Sequence, residues 1–133
     1  MRRRLARSPP PWPAATRRWS SEDPVASILL TLSSSPETPA GQRALALAGS
    51  LADQGHALTL CCLQDAVLLG SDRAPGEARA MLASLLDRGA RCLVLRQDLL
   101  LRGLQGGERA LTVDHAGLIA ALTANHDRII GAL

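Results

Sequence analysis

Residues 25–63, VASILLTLSSSPETPAGQRALALAGSLADQGHALTLCCL, hold two apolar runs separated by a loop and an amphipathic stretch. The first run, residues 25–32, is long enough for a strand and too short for a helix. The Ser/Pro/Thr cluster that follows reads as a loop, with Thr38 as an N-cap and Pro39 in the first helical position. Ala44, Leu45, Ala48, Leu51 and Ala52 then recur at helical spacing, and Gly55 supplies the stop. Residues 56–63, HALTLCCL, are a second strand. Both strands are continuously apolar rather than alternating, as strands covered on both faces of a parallel sheet are. A strand–helix–strand unit of this kind sets the class as α/β.

The pattern repeats downstream. Gln64 and Asp65 open a short apolar segment that runs to Gly70, and SDRAPG at residues 71–76 is a loop. Ala78, Met81, Leu82, Leu85 and Leu86 form the apolar stripe of a helix over residues 76–88, ended by Gly89. RCLVL at residues 91–95 is a third strand, residues 98–104 hold one or two helical turns, and residues 110–113 are a short fourth strand. Asp114 caps a helix carrying Leu118, Ile119 and Leu122, and residues 128–133 are a fifth strand. The expectation is one doubly wound α/β domain over residues 25–133, with a mainly parallel sheet of about five strands.

Composition narrows the chemistry. All 15 basic residues are Arg, so no lysine amine is present for a Walker phosphate loop or a Schiff base. Phe and Tyr are absent and both tryptophans, Trp12 and Trp19, precede the first strand, which excludes an aromatic platform for single-stranded nucleic acid. Residues 1–24 carry +4 and the rest of the chain −1, so the basic character belongs to the leader. Pro9, Pro10, Pro11 and Pro13 would break the amphipathic helix of a transit peptide, and the leader has no apolar core of a secretory signal. Residues 1–24 are therefore expected to be a disordered Arg/Pro-rich leader. No apolar run reaches the roughly 18 residues of a membrane span, so no membrane partner is expected and any nucleic-acid contact is at most indirect. Three cysteines without a framework spacing read as free thiols in a reducing cytoplasm.

Ligands of open parallel sheets bind at the carboxyl ends of the strands. Those ends are Ser33–Ser35, Gln64 with Asp65, Leu95 to Asp98, and Asp114 with His115. The serines lack a G-x-S-x-G elbow and read as a polar turn. Asp65 and Asp98 could serve as catalytic carboxylates, but the simpler expectation for each is a helix N-cap. Gly103, Gly106 and Gly107 follow a helix rather than a strand, so they read as a turn and not a dinucleotide loop. His115 and His126 have no metal-ligand spacing with cysteine, and no metal or cofactor is expected. Cys61 and Cys62 are adjacent on a strand and must point to opposite faces. Cys62 is the thiol nearest a strand's carboxyl end, whereas Cys92 begins its strand.

Three segments carry a family resemblance. Asp98, Leu99, Arg102, Gly103 and Leu104 fit a D-L-x-x-R-G-[LF] pattern after a strand. Val113, Asp114, His115, Leu118, Ile119 and Leu122 fit V-D-[YH]-x-x-[FL]-[VI]-x-L, and Gln64, Asp65, Ala66 and Val67 fit a strand ending in Q-D-[GA]-V. Over residues 25–133 the chain resembles the DsrE/DsrF/DsrH family, which includes the TusBCD sulfur-relay complex, and looks most like its DsrH/TusB branch. The first loop and helix look more DsrE-like. The resemblance implies a binding role for Gln64, Asp65, Asp98, Arg102, Gly103, Asp114 and His115. In the catalytic branch a persulfide-carrying cysteine ends the third strand, and the matching position here is Leu95.

The resemblance thus implies a non-catalytic subunit of a sulfur-relay complex, assembled with sister DsrE/TusBCD-like subunits and served by a TusA-like carrier. The sulfur would pass towards tRNA thiolation or through sulfur oxidation. Three consecutive leucines at positions 99–101 exceed what one small domain can hide, which points to a homo- or hetero-oligomer. Two alternatives stand beside this: a sulfurtransferase that uses a displaced cysteine, Cys62, Cys61 or Cys92, and a stand-alone small-ligand-binding α/β domain.

Overall fold

A computed structural model describes residues 26–124 and 126–132. The expected leader at residues 1–24 lies outside the described residues. Strands β1 (Ser27–Leu32), β2 (Ala57–Cys62), β3 (Arg91–Leu95), β4 (Leu111–Val113) and β5 (Arg128–Ala132) form one sheet in the order β4-β3-β2-β1-β5. Every pairing is parallel. Helices α1 (Pro39–Asp53), α2 (Gly76–Asp87), α3 (Arg96–Leu101) and α4 (His115–Thr123) connect the strands, and a 3-10 turn, Gln64–Leu68, follows β2. The expected class and strand number are both present.

Register divides the apolar side chains between two faces. Leu30, Leu60, Cys62, Cys92 and Val94 pack with Ala44, Leu45 and Ala48 of α1 and with Ala78, Leu82 and Leu85 of α2. On the opposite face, Leu29, Cys61, Leu93 and Leu95 pack with Leu118 of α4. The second face is thinly covered: α4 buries Leu118, while Ile119 stays 59% exposed. The central strands are buried on both sides, and this is the physical reason their sequences read as unbroken apolar runs.

The helix starts follow side-chain chemistry. Thr38 accepts the Gly41 N–H at 3.0 Å with Pro39 beginning α1, and Asp114 accepts the Gly117 N–H at 2.7 Å to begin α4. A Cβ at Gly41 would overlap the Ser35 carbonyl oxygen, so the loop after β1 can close onto α1 only over a glycine. The chain winds outward from β1 to β4 and then returns to place β5 on the other side of β1. The topological switch therefore lies between β1 and β5, beside Ser33–Ser35.

Candidate functional site

The carboxyl ends of β2 and β3 bring together five of the seven residues singled out from the sequence. Gln64 turns the chain out of β2 with φ of 52°, a left-handed conformation that few non-glycine residues adopt. Its backbone N–H donates to Asp98 Oδ2 at 2.6 Å. Arg102 Nε donates to Asp65 Oδ1 at 3.1 Å, and its Nη1 donates to the Asp98 carbonyl at 3.1 Å. The same guanidinium lies 3.0 Å from the Asp65 carboxylate and 3.9 Å from that of Asp98. Gly103 follows α3 with φ of 65°, and Leu104 N–H closes on the Leu99 carbonyl at 2.9 Å, so the helix ends on a left-handed glycine.

This geometry corrects the capping expectation. Asp98 lies in the first turn of α3, whose N-cap is Leu95, and Asp65 lies within the 3-10 turn, whose N-cap is Leu63. Neither caps its own helix. Asp98 instead supplies the acceptor for the 3-10 turn from a different element, and Asp65 is an exposed partner of Arg102. Together they make a carboxylate–guanidinium–carboxylate clamp that fastens α3 to the turn after β2. With two acids around one cation, the cluster carries a net negative charge.

The other two residues stand apart. The Asp114 side chain is occupied by the Gly117 N–H, and His115 is exposed at the start of α4. Among the described residues no hydrogen bond or ion pair joins them to the clamp. His126 is a structural tether, with Nδ1 3.2 Å from Ser27 Oγ and Nε2 3.1 Å from the Ala121 carbonyl. At the switch, Ser35 accepts the Glu37 N–H through its Oγ and the Thr38 hydroxyl through its carbonyl, as a polar turn does.

The three thiols are buried: Cys61 at 1%, Cys62 at 0% and Cys92 at 2% exposure. Cys61 faces the α4 side, and Cys62 and Cys92 face the α1/α2 side, as strand alternation requires. The strand position of Cys92 does not separate it from Cys62. Leu60 pairs with Cys92 and Cys62 with Val94, so the two thiols sit diagonally on one face with their sulfurs 3.8 Å apart. Register, which a single strand's sequence does not carry, creates that contact. Burial pushes the Cys61 thiol up to about 11, with the Cys92 charge adding to it. The Cys62 thiol is raised by its hydrogen bond with Cys92 and then by burial. A nucleophilic sulfur needs the thiolate, and a thiol titrating near 11 is ionised to about one part in ten thousand at neutral pH. Leu95 ends β3 at 6% exposure and packs with Leu29, Cys61 and Leu93.

A cavity of about 560 Å³ lies away from the strand ends, between α2 and the segment before β4. One wall is a short antiparallel pairing: Asp72 N–H donates to Gln105 at 2.9 Å and Gly107 N–H to Gly70 at 2.8 Å. Gly106 and Gly107, expected only as a turn, build that wall. Their spacing in the sequence gave no sign of it, because the partner segment lies at residues 70–72.

No protein-family model and no curated protein matches this chain. Among solved structures, it is similar to the YchN protein from E. coli, with a TM-score of 0.67 and 21% sequence identity. The match covers 80% of this chain and 99% of that one. At that identity the likeness is one of fold: this chain shares the α/β fold of YchN.

Proposed function

We propose that this chain is a non-catalytic subunit of a cytoplasmic sulfur-relay complex, on the DsrH/TusB side of the DsrE-like proteins. The observation that carries the reading is the end of β3. There the sulfur-carrying branch places a reactive cysteine, and here Leu95 is buried among Leu29, Cys61 and Leu93. The chain's own thiols lie buried in the two cores, where burial and contact with Cys92 push Cys61 and Cys62 up. A DsrE-like fold without a thiol at that position can position a partner's thiol but has none of its own to load.

The exposed leucines give such a subunit a surface to bury. Leu99 is inside the domain at 2% exposure, whereas Leu100 and Leu101 are 68% and 74% exposed on α3, directly beside the Arg102 clamp. Gln64, Asp65, Asp98, Arg102 and Gly103 then act by holding α3 in place for sister DsrE/TusBCD-like subunits, and Asp114 and His115 flank the same sheet end. The test is to treat the native chain with a small-molecule persulfide donor, alone and with sister subunits and a TusA-like carrier, and to weigh each subunit. The expected result is a sulfur adduct on a sister subunit and none on this chain. A stoichiometric adduct on Cys61, Cys62 or Cys92 of the folded chain overturns the non-catalytic reading.

A further inference from the structure

The cavity of about 560 Å³ beside α2 falls within the roughly 300–1,000 Å³ of small-ligand sites. From α2 it is faced by Arg79, Leu82, Ala83 and Leu86, which stand at i, i+3, i+4 and i+7 and so share one stripe of the helix. Seven steps of helical rise make that stripe about 10 Å long. Leu69 and Ala74 extend the apolar floor, which has no aromatic ring. The charged groups of the lining are in unlike states. Arg109 pairs with Asp87 at 2.9 Å and is neutralised there. Arg79 Nη2 donates to the Asp72 carbonyl at 2.8 Å, which pins the guanidinium at one end of the stripe and leaves its charge without a carboxylate partner among the described residues. The Asp72 and Glu108 carboxylates take part in no hydrogen bond or ion pair among the described residues.

We propose that this cavity binds a small zwitterion with an aliphatic body, of the class of an α-amino acid with a linear aliphatic side chain. The ligand's carboxylate meets the free N–H groups of the Arg79 guanidinium, and its ammonium meets the Asp72 and Glu108 carboxylates. Its side chain runs along the stripe over Leu82, Ala83 and Leu86. Removing either charge from the ligand makes a worse fit. A fatty acid would bring its carboxylate to Arg79 against two unpartnered carboxylates. An alkylamine would answer those carboxylates but set its cation beside the guanidinium. The zwitterion answers both signs, and repulsion of the two singly charged analogues supplies the selectivity. The wall opposite α2 is fixed by the Asp72–Gln105 and Gly107–Gly70 backbone bonds, and a Cβ at Gly107 would come within 3.2 Å of the Gly70 and Ser71 carbonyl oxygens. The cavity is therefore built before a ligand arrives. It shares no residue with the Arg102 clamp and stands whether or not the sulfur-relay reading does.

The experiment uses the full chain, isotopically labelled, with L-2-aminooctanoic acid as probe. The expected result is saturable binding that shifts the amide signals of residues 79–86 and 106–110. Octanoate, which lacks the ammonium, and heptylamine, which lacks the carboxylate, should each bind at least tenfold more weakly. Arg79→Met and Asp72→Asn remove one charge from exposed side chains and should weaken binding at least fivefold with the melting temperature kept. Ala83→Leu fills the floor and should weaken binding at least tenfold. The comparison of the three small molecules needs no variant, so it decides the matter even if a substitution unfolds the domain. No saturation at millimolar probe, or either analogue binding as tightly as the zwitterion, would overturn the proposal. So would shifts centred on Gln64 and Arg102, or undiminished affinity in folded Arg79→Met or Ala83→Leu protein.

Discussion

The Asp98 carboxylate accepts the backbone N–H of Gln64 at 2.6 Å across 34 positions of sequence. The bond joins the first turn of α3 to the left-handed residue that ends β2, so one aspartate holds two strand ends in register. Arg102 closes the arrangement by binding the Asp98 carbonyl and the Asp65 carboxylate. Asp98→Ala is expected to lower stability by about 1–2 kcal/mol, the usual loss when a charged acceptor leaves a backbone donor unpaired. Asp98→Asn keeps an acceptor oxygen and should recover most of that loss. Urea midpoints of the two variants check this, and equal losses would mean that charge rather than the capping bond matters.

Gly103 is the left-handed end of α3, with φ of 65° and open space where a Cβ would stand. Because nothing would clash, the whole cost of Gly103→Ala is conformational, about 1 kcal/mol. Gly103→Asn should cost less, since asparagine tolerates this region better. Thermal unfolding of both variants tests the order.

The parts of the fold that were legible are those where burial alone writes the pattern. VASILLTL, HALTLCCL and RCLVL read as strands because residues such as Leu30, Leu60 and Val94 are covered on their faces by helices. Thr38 and Asp114 read as caps because their bonds reach only three residues ahead. Long-range pairings were not legible. Asp98 looked like a local cap, and only the sheet shows it reaching Gln64. The Cys62–Cys92 contact depends on a diagonal register between two strands, and the wall built by Gly106 and Gly107 depends on the chain doubling back to Ser71. The Q-D and D-L-x-x-R-G segments were found as separate patterns, whereas in space they are the two halves of one clamp.

Alkaline pH should weaken the fold through Cys61. An unfolded chain releases that proton near the ordinary thiol value of 9.0, whereas the folded chain holds it up to about 11. As pH rises the unfolded state sheds its proton first, so stability present below pH 9 is lost on the way to about 11. The Cys62 thiol, also raised, acts in the same direction. Cys61→Ala should flatten part of that decline. Denaturant midpoints measured across the window decide it, and an unchanged slope would assign the decline to other groups.

Cys92 packs in the α1/α2-side core, with its sulfur 3.8 Å from that of Cys62. Cys92→Ser places a hydroxyl in that apolar setting and is expected to cost about 1–3 kcal/mol. Cys92→Ala should be tolerated better, because it adds no polar group to be satisfied. On the proposed relay reading, sulfur transfer by a complex containing this chain should survive either change at a permissive temperature. A stably folded Cys92→Ser complex that has lost transfer would show Cys92 to be a working thiol.

Leu100 and Leu101 give the sharpest test of assembly, because the same helix supplies its own control. Leu99 anchors α3 in the core at 2% exposure, while its two successors project at 68% and 74%. Exposed substitutions usually change stability by no more than about 0.5 kcal/mol, so Leu100→Glu with Leu101→Glu should leave the domain folded. The same pair places two carboxylates next to the net negative Asp65–Arg102–Asp98 clamp and on the surface proposed above to meet sister subunits. Light scattering at tens of micromolar should therefore find an oligomer or hetero-complex for the natural chain and a monomer for the variant. Leu99→Ala should behave in the opposite way, unfolding the domain more readily by about 2–5 kcal/mol through the cavity it leaves. A natural chain that stays monomeric and gathers no partner on co-purification would remove the reason for reading these leucines as an interface.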